Sequence, residues 1–228
     1  MKERPVFISE KLYHIYNRGV EKRKIFANDS DKIRFIHGMF VFNDQSPVIP
    51  SNIRFSLRKP SESPCLEVEP LNIARKRKPL VKILAFCLME NHFHFLLMQK
   101  VDGGIIKFMQ KLGTGYTMYF NQKYQRVGPL FQGRFKATLI ENNPQFIHIP
   151  YYIHLNPIRL IEPEWQSDKK LKNPKSAIEF LNSYRWSSYL DYIGKNNFPS
   201  VISKDFLSKF FENPKQYKND TEKWLFGG

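Results

Sequence analysis

The apolar positions of this chain recur with periods that mark out its elements. KLYHIYNR at 11–18 mixes aromatic and β-prone residues and predicts a first strand, with Gly19 at its exit. From Asp29 or Ser30 as cap, DSDKIRFIHGMFVFN predicts a helix whose apolar face includes Ile33, Ile36 and Phe40, with His37 at its surface or half-buried. VKILAFCLM at 81–89 and HFHFLLMQ at 92–99 are strongly β-prone runs separated only by Glu90 and Asn91, so they predict antiparallel strands joined by a tight turn. After Gly103 and Gly104, Ile105, Phe108, Met109, Leu112, Tyr116, Tyr119 and Phe120 recur at helical spacing, while Lys107, Gln110 and Lys111 fall elsewhere. GPLFQGRFKATLIEN reads as a turn and an extended segment. NPQFIHIPYYIHLNPIR reads as a helix bent or interrupted near Pro150 and stopped at Pro157. Two short helices are expected at 203–211 and 214–225.

Between Asn43 and Pro79 the pattern is lost. Six prolines, Pro47, Pro50, Pro60, Pro64, Pro70 and Pro79, lie among Ser, Asn and charged residues, which predicts a long loop with at most a short strand at IRFSL, 53–57. The order of elements predicts an α+β fold, a mostly antiparallel sheet with helices packed on it. The domain spans 1–195 with an insertion at about 43–79, and 196–228 forms a C-terminal helical extension.

Composition narrows the class of partner. A hydrophobic fraction of 42% supplies a core, and 36 Lys and Arg against 21 Asp and Glu give a formal charge of +15. Such an excess favours polyanions through steering and counterion release. The run at Arg75, Lys76, Arg77 and Lys78 is a solvated cluster or a backbone contact to nucleic acid, and Lys169, Lys170, Lys172 and Lys175 make another basic patch. No apolar run approaches the roughly 18 residues of a membrane span, and the start of the sequence lacks a signal-peptide core, so no membrane partner and a cytoplasmic location are expected. Cys65 and Cys87 have neither the number nor the spacing of a disulfide framework, and Cys87 inside ILAFCLM reads as a buried small hydrophobe.

Candidate chemistry sits on the second β-prone run. Side chains alternate along a strand, so His92 and His94 share one face while Phe93 and Phe95 share the other. Two such imidazoles can share a metal ion if another element completes the set, or they can form an ordinary polar sheet face. In YYIHLNP, Tyr152 and Asn156 are four apart and occupy one helical face, with Pro157 placing Asn156 at the frayed helix end; Tyr151 is the core candidate, and His154 looks elsewhere. A tyrosine hydroxyl has a reference pKa near 10 and is a poor nucleophile at neutral pH unless its target is activated, which a metal on a phosphate would do.

In order along the chain, YHIYNRG at 13–19, LMENHFHFLL at 88–97, GPLFQGRFK at 128–136, YYIHLNPIR at 151–159 and YRWSSY at 184–189 resemble the REP-associated tyrosine transposases, the single-tyrosine branch of the IS200-like HUH nucleases. The resemblance implies a ferredoxin-like core with the histidine strand near the sheet centre and the tyrosine helix beside it. It places metal ligands on His92 and His94, the nucleophile on Tyr152, and a polar residue near the metal on Asn156. It implies a divalent cofactor, Mg²⁺ or Mn²⁺, and cleavage and rejoining of single-stranded or hairpin DNA through a 5′-phosphotyrosine intermediate, with a monomer favoured and a dimer as the alternative. Arg18, Arg134 and Lys136 are expected phosphate contacts, Lys107 and Lys111 a second stripe, and Gln132 a reader of a base edge. Two alternatives stand beside this reading: a nucleic-acid-binding descendant that no longer cleaves, and a metal-dependent phosphodiesterase that uses water.

Overall fold

A computed structural model of the 228-residue chain describes residues 4–47, 77–141, 143–165, 171–203, 211 and 213–226. The expected strand at 53–57, Cys65, the basic residues Arg75, Lys76, Lys169 and Lys170, and most of the expected 203–211 helix lie outside the described residues.

Strand β1 (Leu12–Arg18) is followed by helix α1 (Asp29–Val41), the hairpin of β2 (Val81–Met89) and β3 (His92–Gln99), helix α2 (Gly104–Lys123) and strand β4 (Lys136–Ile140). The sheet order is β2-β3-β1-β4, with every neighbouring pair antiparallel. β1 and β2 are therefore separated in the sheet by β3, and α1 crosses between them.

Register sorts the side chains. Tyr13, Ile15 and Asn17 of β1 stand opposite Leu97, Phe95 and Phe93 of β3. This face is covered by α1 and α2, through Phe35 against Phe93 and Phe95 and Phe108 against Phe95. His37, expected near the surface, is buried, because α1 is packed over more of its circumference than its apolar stripe indicates. Gly104 opens α2 where the Leu80 carbonyl would lie 2.4 Å from an added Cβ, so only glycine lets the helix start this close to β2.

A polar knot ties α1 to α2. Asn28 and Asp31 form a capping box at the start of α1. The fully buried Asp31 carboxylate also accepts hydrogen bonds from Lys123 Nζ at 2.6 Å, Tyr124 Oη at 2.7 Å and Tyr119 Oη at 3.0 Å. Burial pushes the Asp31 pKa up, but the Lys123 ammonium and these hydroxyls outweigh it and hold the group below the usual carboxylate range. Asp31→Ala leaves these donors unpaired, and a loss of about 3 kcal/mol in urea unfolding is expected. An unchanged midpoint would show that the knot contributes nothing.

The opposite face carries α3 (Asn143–Leu155), a 3₁₀ turn at Asn156–Leu160, and α4 (Pro174–Ser183), α5 (Tyr189–Tyr192) and α6 (Pro214–Leu225). α3 continues through Pro150 as one helix rather than breaking there. α4 was not expected from the pattern, although Asn173 caps it and Pro174 occupies its first turn. Between α4 and α5, Leu88 N–H donates to the Trp186 carbonyl at 2.9 Å and Ser188 N–H to the Phe86 carbonyl at 3.0 Å, which pairs the outer edge of β2.

His154 joins three layers. Its Nδ1 lies 2.7 Å from Tyr217 Oη on α6 and its Nε2 lies 2.7 Å from Ser188 Oγ. Complete burial pushes its pKa down to about 3. An unfolded histidine titrates near 6.5, so between these values only the unfolded chain takes up the proton and stability falls as pH falls. His154 alone is expected to cost about 2 kcal/mol between pH 7 and pH 5. Urea midpoints that match at the two pH values would contradict this.

Candidate functional site

The site forms on the sheet face turned toward α3. β3 presents His92, His94, Leu96 and Met98 there, and register brings residues of β1 alongside: Arg18 opposite His92, Tyr16 opposite His94, and His14 opposite Leu96. On β4, Lys136 stands opposite Tyr16 and Thr138 opposite His14, both exposed. The face thus grades from a closed side at β2, where Cys87 is buried opposite His94, to an open side at β4.

α3 contributes Tyr152. Its neighbours Tyr151 and Ile153 are buried, Tyr151 stacking on Tyr217 of α6 at 4.9 Å, whereas Tyr152 is 40% exposed. The Tyr152 ring meets His94 edge-on at a centroid distance of 5.7 Å and His14 at the same distance. Helix and strand, remote in sequence, converge on one point.

Asn156 lies one turn beyond Tyr152. It is not at a frayed end: it opens the 3₁₀ turn, is fully buried, and donates from Nδ2 to the Tyr152 carbonyl at 2.7 Å. Among the described residues its Oδ1 is buried without a hydrogen-bond partner. A carbonyl oxygen in that condition is costly unless a cation or water satisfies it.

The electrostatics are those of an electropositive cleft with neutral histidines. Burial first, then the nearby charges of Arg18 and Arg159, pushes the His92 pKa down to about 4. His94, 6% exposed, is held well below the ordinary value by burial, then by His14, His92 and Arg159. Burial pushes His14 to about 4. Neutral imidazoles retain the lone pair a metal requires. Among the described residues no group of three or more His, Cys, Asp and Glu is placed to hold a metal. Two neutral imidazoles on one strand face suit a labile divalent ion with open positions, completed by further donors, rather than a closed structural site.

The remaining sequence candidates divide. Arg18 and Lys136 share the histidine face, and exposed Gln132 is held beside it by its N–H bond to the Arg18 carbonyl at 2.8 Å. Arg134 instead lines a groove with Phe131, Asn17 and Phe93, on the α2 side of the sheet. Lys107 and Lys111 belong to α2, behind the sheet. Lys111 Nζ is engaged by the carbonyls of Asp44 at 2.6 Å and Ser46 at 2.8 Å, and Lys107 Nζ by that of Gln45 at 3.4 Å. The stripe therefore does not face the histidines, because the period that exposes it on α2 says nothing about which side of the sheet α2 covers.

Three residues at the site carried no role from sequence: His14, Tyr16 and Arg159. The signal for the first two was alternation along β1, but it became useful only once β1 was known to pair with β3.

Over residues 67–156 the chain matches a family model described as transposase IS200 like, and that stretch contains His92, His94, Tyr152 and Asn156. A search of curated proteins finds no match. Nine chains of solved structures match. One of them, a REP-associated tyrosine transposase bound to a REP hairpin, is 12% identical to this chain; the match covers 90% of this chain and 92% of that one, with a TM-score of 0.49. Among the described residues no helix is long and apolar enough to cross a membrane.

Proposed function

We propose that this chain, which belongs to the IS200-like transposase family, cleaves and rejoins single-stranded DNA with Tyr152 as nucleophile. The observation that carries the reading is the meeting of an exposed Tyr152 with buried His94 at 5.7 Å, from separate layers of the fold. The β-α-β-β-α-β order with sheet order β2-β3-β1-β4 supports reading the core as ferredoxin-like.

His92, His94 and the Asn156 Oδ1 would hold a divalent ion, which when bound polarises a phosphate oxygen and orients the phosphorus for in-line attack. Arg18, Arg159 and Lys136 supply positive charge around the same cleft and would hold the backbone on either side of the scissile phosphate. Tyr152 Oη attacks phosphorus and loses its proton. The 3′-oxygen of the preceding nucleotide leaves and is protonated, giving a free 3′-hydroxyl and a 5′-phosphotyrosine. Attack by a 3′-hydroxyl on that link restores a phosphodiester and returns the proton to Tyr152. Each step exchanges one phosphoester for another, so no nucleotide energy source enters.

A nucleophile set on a helix beside a sheet must approach one phosphate closely. An unpaired strand, such as the tag beside an imperfect hairpin, bends into that cleft more readily than a duplex. Tyr152 and both histidines come from one chain, which supports action as a monomer.

Purified protein incubated with end-labelled hairpin oligonucleotides carrying single-stranded flanks and Mn²⁺ is expected to give a denaturation-resistant protein–DNA adduct. Cleavage without an adduct would identify water as the nucleophile. Binding without cleavage across a range of flanks and metals would identify a non-cleaving binder.

A further inference from the structure

The two candidate ligands are engaged through the same ring atom, Nδ1. Asn91 Nδ2 donates to the Lys22 carbonyl at 3.1 Å, which orients the amide so that its Oδ1 faces His92 Nδ1 at 2.6 Å. An amide oxygen only accepts, so His92 carries its proton on Nδ1 and keeps the Nε2 lone pair. His94 is likewise engaged at Nδ1, but by another imidazole: His14 Nε2 lies 2.9 Å away, with the ring planes 18° apart. His14 is 8% exposed and reaches His94 diagonally across the β1–β3 ladder, from the position opposite Leu96 to the position beside it. A bond between two neutral imidazoles has two possible proton placements, and only one leaves His94 Nε2 free.

We infer that His14 is a positioning residue that accepts a hydrogen bond from His94 Nδ1–H through its own Nε2 and so reserves His94 Nε2 for the divalent ion. His14 then carries its proton on Nδ1. The inference rests on the metal reading of His92 and His94. Partners that orient a ligating histidine through its second nitrogen typically change metal affinity tenfold to a hundredfold when removed. His14 also packs edge-on against Tyr152, so the same side chain fixes the ligand and lines the nucleophile.

The test has one arm without metal and one with it. In metal-free protein, ¹⁵N-resolved imidazole spectra are expected to show His94 protonated on Nδ1 in the wild type, with the Nε2–H form rising in His14→Phe, which keeps an aromatic ring but accepts no bond. In Mn²⁺ titrations, His14→Phe is expected to weaken binding by about tenfold to a hundredfold. His14→Gln, which keeps an acceptor, should stay within about threefold of wild type, a rescue that loss of packing alone would not give. His94 protonated on Nε2 in the wild type overturns the inference. So does His14→Phe binding Mn²⁺ like wild type while His92→Ala loses it, an outcome that leaves the metal reading standing. If wild type and His92→Ala alike fail to take up Mn²⁺, the metal reading fails and the inference falls with it. Should His14→Phe not fold, the wild-type spectrum and His14→Gln decide.

Discussion

Tyr152→Phe is expected to abolish the covalent protein–DNA adduct while leaving Mn²⁺ affinity and thermal stability close to wild type. The substitution removes one oxygen. The ring that packs edge-on against His94 and His14 stays, and among the described residues the Tyr152 hydroxyl makes no hydrogen bond. The loss therefore reports chemistry. Without a nucleophilic oxygen the forward step has no route, and adduct yield should fall by at least about a thousandfold, roughly 4 kcal/mol in the barrier. Neighbouring Tyr151 does not substitute, since it is 3% exposed and stacked in the α3–α6 interface. An adduct at wild-type yield from Tyr152→Phe would move the nucleophile elsewhere.

His94→Ala is expected to remove metal-dependent cleavage by a different route. It deletes a proposed ligand and leaves His14 Nε2 without its partner, so Mn²⁺ affinity should fall by more than the roughly hundredfold that loss of an outer partner causes. Adduct formation at moderate Mn²⁺ should fall with it and return in part as the metal concentration is raised, because Tyr152 remains in place. That concentration dependence separates His94→Ala from Tyr152→Phe, whose defect no excess of metal repairs. Titration of Mn²⁺ against both variants, with adduct yield read in parallel, tests the pair together. Equal Mn²⁺ affinity in His94→Ala and wild type would rule His94 out as a ligand.

The elements were largely legible because their signals are local. The hairpin at β2 and β3, the long α2 and the terminal helix at 214–225 each carry their period within a few turns or residues, and the structure has them at Val81–Met89, His92–Gln99, Gly104–Lys123 and Pro214–Leu225. α4 does not follow from the apolar pattern, although Asn173 and Pro174 signal its start. At the site, alternation set His92 and His94 on one face, and helical spacing put Tyr152 and Asn156 one turn apart. The burial of Asn156 and its unsatisfied oxygen were not legible, since they depend on what α3 packs against.

The sequence by itself thus determined which side chains share a face within each strand or helix, the excess of positive charge and the aromatic material for a core. These follow from backbone periods of 2 and 3.6 residues and from composition, neither of which needs a distant partner. Only the tertiary structure decided that β1 pairs with β3, that α3 covers the histidine face while α2 covers the other, and that Lys107 and Lys111 stand behind the sheet. Those outcomes rest on burying faces contributed by remote segments. A register shifted by one residue would turn His14 and Arg18 away from His94 and His92 without altering the alternation along β1. The histidine pair was readable in eight residues of sequence; its neighbours His14, Arg159 and Tyr152 became neighbours only through packing.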